Sequence, residues 1–267
     1  MFTREEARKN HLLANLSVRE FDHIRPELER VSLAAGQMIQ DWGDEIEYVY
    51  FPTTSVIALL YRVESGTTVE IGMIGDEGAL GIEIFLGGNM APSMAVVQNA
   101  GTAYRMRARA FHANCSAAPE FRDCLLRYTR SLMDQVSQTA VCNRFHSISQ
   151  RLARWLLETA DRVHGNRIEM THEQIGGLLG VRREGISVAA HNLSISGLIK
   201  IRRGTVTILD RPSLESSACE CYKVVSGEYA HLFERGISRT SIARCGIGVG
   251  VTGSGAGPAR KSTAAAT

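Results

Sequence analysis

The stretch THEQIGGLLGVRREGISVAAHNL, from Thr171 to Leu193, limits the fold of this chain more than any other segment. Thr171 and Gln174 have the spacing of a capping box, in which a hydroxyl and a side-chain amide satisfy two orphan backbone donors at a helix start. A helix begun there buries Ile175, Leu178 and Leu179 on one side. Gly180 then permits a left-handed turn. A second helix buries Ile186, Ala189, Ala190 and Leu193. The following GLIKIRRGTVTIL alternates around Arg202-Arg203-Gly204, which predicts a β-hairpin. Two helices joined by a short glycine turn and followed by a hairpin predict a winged helix-turn-helix.

Arg182 and Arg183 stand where the second helix begins, and a helix dipole disfavours cations at that end. A recognition helix, however, points its N-terminal residues into the DNA major groove. There an arginine donates to guanine O6 and N7, and a glutamate accepts from cytosine N4. Arg183 and Glu184 suit that task; on spacing alone, a solvated arginine pair on an ordinary helix fits equally well. The hairpin tilts the balance. From Thr171 to Arg211 six basic residues face three acidic ones, a local charge of +3 against +2 for the whole chain. Arg202 and Arg203 at the hairpin tip, with Lys200 and Arg182, are placed to meet phosphates, as are Thr171 and His172 at the helix start. For His172 an ordinary surface histidine is the equal alternative.

Upstream, short β-branched runs (Tyr48–Phe51, Val56–Tyr61, Thr67–Ile71, Met94–Val97) are broken by frequent glycines between Val31 and Met106. That texture predicts a small all-β roll or barrel. Residues 10–30 carry a helical apolar spacing. Pro119 opens a long helical pattern to about Phe145, with a stripe of Leu125, Leu132, Val136 and Ala140. That stripe can pack on the roll or on a second copy of the helix. A further amphipathic helix runs from Ser149 to His164, with Gly165 as its cap, and Ile168–Met170 reads as a short strand.

Composition narrows the function classes. With 44% hydrophobic residues and a net charge of +2, the chain can bury a sizeable core and is not a general nucleic-acid coat. No apolar run approaches the ~18 residues that span a bilayer. The charged start MFTREEARKN lacks a signal-peptide core, so a cytoplasmic protein is expected. None of the six cysteines precedes Cys115, and reduced thiols are expected rather than disulfides. Cys219-Glu220-Cys221 supplies two ligands, half of a tetrahedral site, so no metal is assigned. Cys142 on the long helix is a separate weak candidate. Residues 236–267 are dominated by small residues and read as a disordered tail. Its GSGAGPARKS has Arg260 where a phosphate loop needs Gly before Lys-Ser. The sequence offers no nucleophile elbow and no H-E-x-x-H, so an enzyme is not expected.

The order of these parts, and the segments FPTTSVIALL, VEIGMIGDEGALG, CNRFHSISQRLARWLLETADRV and MTHEQIGGLLGVRREGISVAAHNLSISGLIKIRRGTVTILDR, resemble the Crp/Fnr family of bacterial transcription regulators. The resemblance implies an α+β chain in four parts. A cupin- or jelly-roll-like β-roll sensor occupies 1–118, a dimerisation helix 119–146 and a winged helix-turn-helix 147–225, followed by the tail. It implies a homodimer that reads a two-fold symmetric site on double-stranded DNA, with RNA polymerase as a further partner. It implies base readout by Arg183, Glu184 and Ser187, and dimer contacts by Leu125, Leu132, Val136 and Ala140. Cyclic-nucleotide binders of the family use a Glu near the glycine turn and an Arg-Ser pair to hold the phosphate. Here Pro92 precedes Ser93, so cyclic AMP is not expected, nor is an iron–sulfur cluster, whose thiolates are mostly N-terminal. The effector stays unassigned. The other reading is a β-roll sensor whose winged helix contacts protein instead of DNA.

Overall fold

A computed structural model describes residues 3–64 and 66–232. The tail reading, 236–267, and the phosphate-loop look-alike lie outside the described residues.

The N-terminal helical spacing does not make one helix. It makes α1 (Arg4–Ala7), α2 (His11–Ala14) and α3 (Val18–Ile24), each opened by its own polar cap at Thr3, Asn10 and Ser17. Pro26 then turns the chain through a single 3-10 turn, and Glu29 already begins the first strand. Polar caps at every few residues outcompete a continuous helix.

Seven strands follow: β1 (Glu29–Leu33), β2 (Met38–Gln40), β3 (Tyr48–Pro52), β4 (Val56–Arg62), β5 (Thr68–Ile74), β6 (Met94–Asn99) and β7 (Gly101–Arg107). They form two antiparallel sheets, ordered β1-β7-β3 and β2-β6-β4-β5, which is the expected β-roll. Its interior is aliphatic: Leu33, Ile57, Leu59, Ile74, Leu80, Ala95 and Val97 are buried together. Helix α4 (Ala108–Ala117), which the sequence patterning did not reveal, packs Phe111 between Phe51 and Phe121.

The long helix α5 runs from Pro119 to Phe145 as expected, opened by a proline in its first turn. Its first half belongs to the roll. Phe121, Leu125 and Tyr128 are fully buried against β3, α3 and α4. Leu125 is therefore a core residue, not a dimer contact, because it shares a face with Phe121 and Tyr128. Leu132 also leans on the roll. The large apolar residues left in solvent are Leu126, Met133, Val141 and Phe145, and of the predicted stripe Val136 is half-buried and Ala140 exposed.

Helix α6 (Ile148–Arg162) starts at a Ser147–Gln150 capping box. Its predicted face is buried, but so are Arg154, Glu158 and Arg162 on the other side. The helix lies between two layers, and Val56 and Met73 of the roll join its core. His164, not Gly165, takes the left-handed position after the helix, with φ 49°. Its Nε2 lies 2.6 Å from Asp76 Oδ2, which holds the ring in place.

The remainder is β8 (Arg167–Glu169), α7 (His172–Leu179), α8 (Arg183–Ile195), β9 (Ile199–Arg202), β10 (Thr205–Ile208), α9 (Arg211–Ser217) and α10 (Cys221–Leu232). A three-stranded sheet in the order β8-β10-β9 flanks the two helices, completing a winged helix-turn-helix. Among the described residues no helix is long and apolar enough to cross a membrane.

Candidate nucleic-acid interface

The first helix of the pair is fixed at both ends. Thr171 Oγ1 accepts from the Gln174 N–H at 3.3 Å, and the Thr171 N–H donates to Gln174 Oε1 at 2.9 Å. Gly180 ends the helix in the left-handed conformation at φ 63°. The Val181 N–H donates back to Gly176 O at 2.9 Å, closing the turn. Leu178 and Leu179 are only half-buried; Ile175 carries this helix's share of the core.

Helix α8 begins at Arg183 with Arg182 in the N-cap position, where no side chain caps the first turn. Ile186, Ala189, Ala190 and Leu193 are buried, as the spacing required. That leaves Arg182, Arg183, Glu184 and Val188 in solvent. The same face continues through His191, Asn192 and Ile195, which the sequence reading passed over although they follow Glu184 and Val188 at helical spacing.

The wing turns as predicted. Arg203 and Gly204 both take positive φ, 40° and 77°, as a two-residue hairpin of type I′ requires. Lys200 and Arg202 alternate with the inward Ile199 and Ile201, so both stand on the exposed face with Arg203 beside them. The wing tip comes back to the helix pair: a Cβ on Gly204 would lie 3.6 Å from the Thr171 methyl. The structure thus brings the start of α7, the start of α8 and the hairpin tip into one region.

Two of the predicted contact residues also hold the local fold. The exposed Thr171 uses its hydroxyl in the cap. His172 is not a free surface ring: its Nδ1 lies 3.1 Å from Ser187 Oγ, and its Nε2 is buried without a hydrogen-bond partner. Packing between α7 and α8 turns the ring inward, so His172 braces α8. Ser187, half-buried, is the other half of that brace.

In the roll, Pro92 is exposed and Ser93 is buried. Glu83 Oε2 is buried with no hydrogen-bond partner, and burial raises its carboxyl above the usual range.

The cysteines depart most from expectation. Cys142, near the end of α5, meets Cys219 and Cys221, and His146 joins them; the four ligand atoms all lie within 4.8 Å of one another. The half-site read from Cys219 and Cys221 is a complete set of four potential ligands. The Cys142 thiol is held down to about 4 by the hydrogen bond from Cys219, against its own burial, with Arg154 beside it. Cys219, the other member of the pair, is pushed up. The clue was the separation of Cys142 and His146 by one helical turn.

A double-sheeted roll is thus joined by one long helix to a winged helix-turn-helix. Residues 150–217 match the family described as the Crp-like helix-turn-helix domain. No protein of curated function matches the chain. Among solved structures, FixK2 from Bradyrhizobium japonicum is similar with a TM-score of 0.63 at 16% identity, covering 72% of this chain and 98% of its own. A putative Crp/Fnr-family regulator from Eubacterium rectale matches with a TM-score of 0.61 at 18% identity, covering 78% and 98%. The c-di-GMP-responsive global regulator CLP of Xanthomonas campestris matches with a TM-score of 0.61 at 13% identity, covering 73% and 100%. The chain has the Crp/Fnr regulator fold and carries a Crp-like helix-turn-helix domain.

Proposed function

We propose that this protein is a sequence-specific DNA-binding transcription regulator that acts as a homodimer. The observation that carries this reading is the exposed Arg183–Glu184 pair at the first turn of a helix braced from behind. Arginine and glutamate there match the edges of guanine and cytosine. Arg182, Lys200, Arg202 and Arg203 supply the sequence-independent attraction to phosphate. Arg203 holds a left-handed conformation that costs a non-glycine residue about 1–2 kcal/mol. A wing that keeps arginine at that position retains a cation at its tip despite the strain.

The dimer reading rests on the exposed seam of α5. Leu126, Met133 and Phe145 are 53%, 65% and 74% exposed, and the first two lie one heptad apart. A second copy of the helix is the natural cover for such a seam. Two copies would read half-sites about 34 Å apart on a palindromic duplex.

The protein works as a binder of double-stranded DNA in the cytoplasm, with RNA polymerase as a further partner, and not as an enzyme. Its signal is not a cyclic nucleotide held in the manner of the family. Pro92 brings no cation to an anion.

The deciding experiment is fluorescence anisotropy on a palindromic duplex selected from a random pool, at two salt concentrations. Tight, selective binding supports the reading. Equal affinity for selected and scrambled duplexes at both salts would favour the winged helix as a protein-contact module.

A further inference from the structure

Four chemically soft groups meet where the long helix hands over to the winged module. Cys142 and His146 are four residues apart, so the last turn of α5 places them on one face. Cys219 precedes α10 and Cys221 is its first residue. The three sulfurs are buried and pack as a cluster of their own. Cys142 Sγ and Cys219 Sγ are 3.5 Å apart, and Cys221 Sγ lies 3.4 Å from His146 Nδ1.

We propose that Cys142, His146, Cys219 and Cys221 form a mononuclear tetrahedral site for a divalent cation of the zinc class, clasping the end of α5 to the segment after the winged module.

The size of the cluster fits one ion. Zinc–sulfur bonds of about 2.3 Å give a tetrahedron with edges of about 3.8 Å. The Cys142–Cys219 and Cys221–His146 pairs fall just below that edge, and the 4.8 Å limit on all pairs leaves little slack. An iron–sulfur cluster would spread its thiolates around several irons, which this spacing does not allow.

The surroundings are those of a ligand set. Buried thiols that merely fill space need no polar groups aimed at them. Here His146 turns Nδ1 to the sulfurs, while its Nε2 lies 3.3 Å from Glu220 Oε1. A carboxylate behind the second ring nitrogen fixes the tautomer and strengthens a histidine as a metal ligand. Gln138 Nε2 donates to Cys221 Sγ at 3.0 Å, as an amide does to a thiolate. Arg151 and Arg154 line the same small cavity as Cys142 and offset the negative charge of three thiolates. Glu220 is exposed, which leaves a solvent side from which an ion can arrive.

The location gives the site its meaning. His146 and Ser147 separate α5 from α6, the first helix of the Crp-like domain. An ion bound there ties the end of α5 to the chain that closes that domain and fixes the angle at the junction. This inference does not depend on the DNA-binding reading.

The test uses the full chain, purified under reducing conditions, stripped with a chelator and titrated with Co(II). The expected result is a tetrahedral Co(II) spectrum with thiolate charge transfer, saturating at one ion per chain and bleached by Zn(II). Cys219→Ser and Cys221→Ser should each lose charge-transfer intensity. Glu220→Gln, at an exposed side chain, should keep the spectrum and weaken binding about tenfold. No tetrahedral spectrum with the thiols assayed as reduced would overturn the proposal. So would a wild-type spectrum in the Cys219→Ser/Cys221→Ser chain, which places the ion elsewhere. Should the serine variants fail to fold, the wild-type titration and Glu220→Gln decide the matter alone.

Discussion

Arg162 Nε donates to Glu77 Oε1 at 2.8 Å, and neither side chain is more than 8% exposed. The pair joins α6 to the turn after β5. Glu77 Oε2 also accepts the Gly75 N–H at 3.1 Å, and Arg162 Nη1 donates to Glu158 O at 3.0 Å. Breaking such a pair on one side leaves an uncompensated buried charge, while replacing both sides is often nearly neutral. Arg162→Met should therefore cost about 3–5 kcal/mol in chemical denaturation. The double variant Arg162→Met/Glu77→Leu should recover most of that loss. A double variant as unstable as the single one would show that the pair itself, not the stranded carboxylate, carries the stability.

Glu70 is a second charge problem at the same junction. It is buried beside Trp155, whose indole Nε1 donates to Glu70 Oε2 at 3.4 Å. Burial pushes its carboxyl up to about 8. The folded chain thus keeps a proton that the unfolded chain releases near 4.5. Below that lower value both states are protonated and the group is neutral for stability. Between the two values the unfolded state gains from ionising, so stability falls as pH rises, and the loss is complete above about 8. Glu70→Gln removes this dependence. Its melting temperature should lie close to wild type at pH 5 and exceed it at pH 8, by a margin worth roughly 4 kcal/mol. Equal margins at both pH values would mean that Glu70 is ionised in the fold.

The two glycines of α7 should respond oppositely to alanine. A Cβ on Gly176 would lie 2.9 Å from the carbonyl oxygen of Val181, across the tight turn. Backbone cannot yield there, so Gly176→Ala should destabilise by about 1–3 kcal/mol. A Cβ on Gly177 meets nothing within 4 Å, and it sits in a helix. Gly177→Ala should stabilise by about 0.5–1 kcal/mol. Thermal melts of the two variants side by side decide whether the turn is as tight as described.

What the sequence made legible here is what depends on short-range chemistry. The Thr171–Gln174 cap, the left-handed Gly180, the Ile186–Leu193 face and the Arg203-Gly204 turn all follow from residues a few positions apart. Apart from the three short N-terminal helices and α4, the misses are long-range. Leu125 looks like a seam residue until the roll occupies that face of α5. His172 looks like a surface ring until α8 packs beside it. Cys142 and Cys219 are 77 positions apart, and only the docking of α5 against the start of α10 brings their sulfurs together. His164 takes a glycine's conformation because Asp76, far away in the chain, holds its ring.

Arg183 and Arg203 should fail in different ways. Arg183→Ala removes a base-edge donor, so it should cost about 1–3 kcal/mol on the selected duplex and relax preference at one base pair. Arg203→Ala removes a phosphate contact, so it should weaken all duplexes alike and lower the salt slope by about one. Anisotropy titrations on selected and scrambled duplexes at several salt concentrations separate the two. Identical profiles for both variants would refute the assignment of base and phosphate roles.

The long helix offers a similar contrast, because its two apolar faces do different work. Leu125 is fully buried in the core of its own protomer, whereas Met133 is 65% exposed. Leu125→Ala should destabilise the fold by about 2–5 kcal/mol, the usual cost of truncating a core leucine. Met133→Glu should leave the melting of dilute protein nearly unchanged, since its side chain already stands in solvent. Across a two-fold axis, however, the new carboxylate meets its own copy, and like charges repel in a dehydrated seam. Sedimentation should then find the Met133→Glu chain shifted to monomer, with binding lost on a palindrome. A Met133→Glu chain that still sediments as a dimer would move the interface off this face of α5.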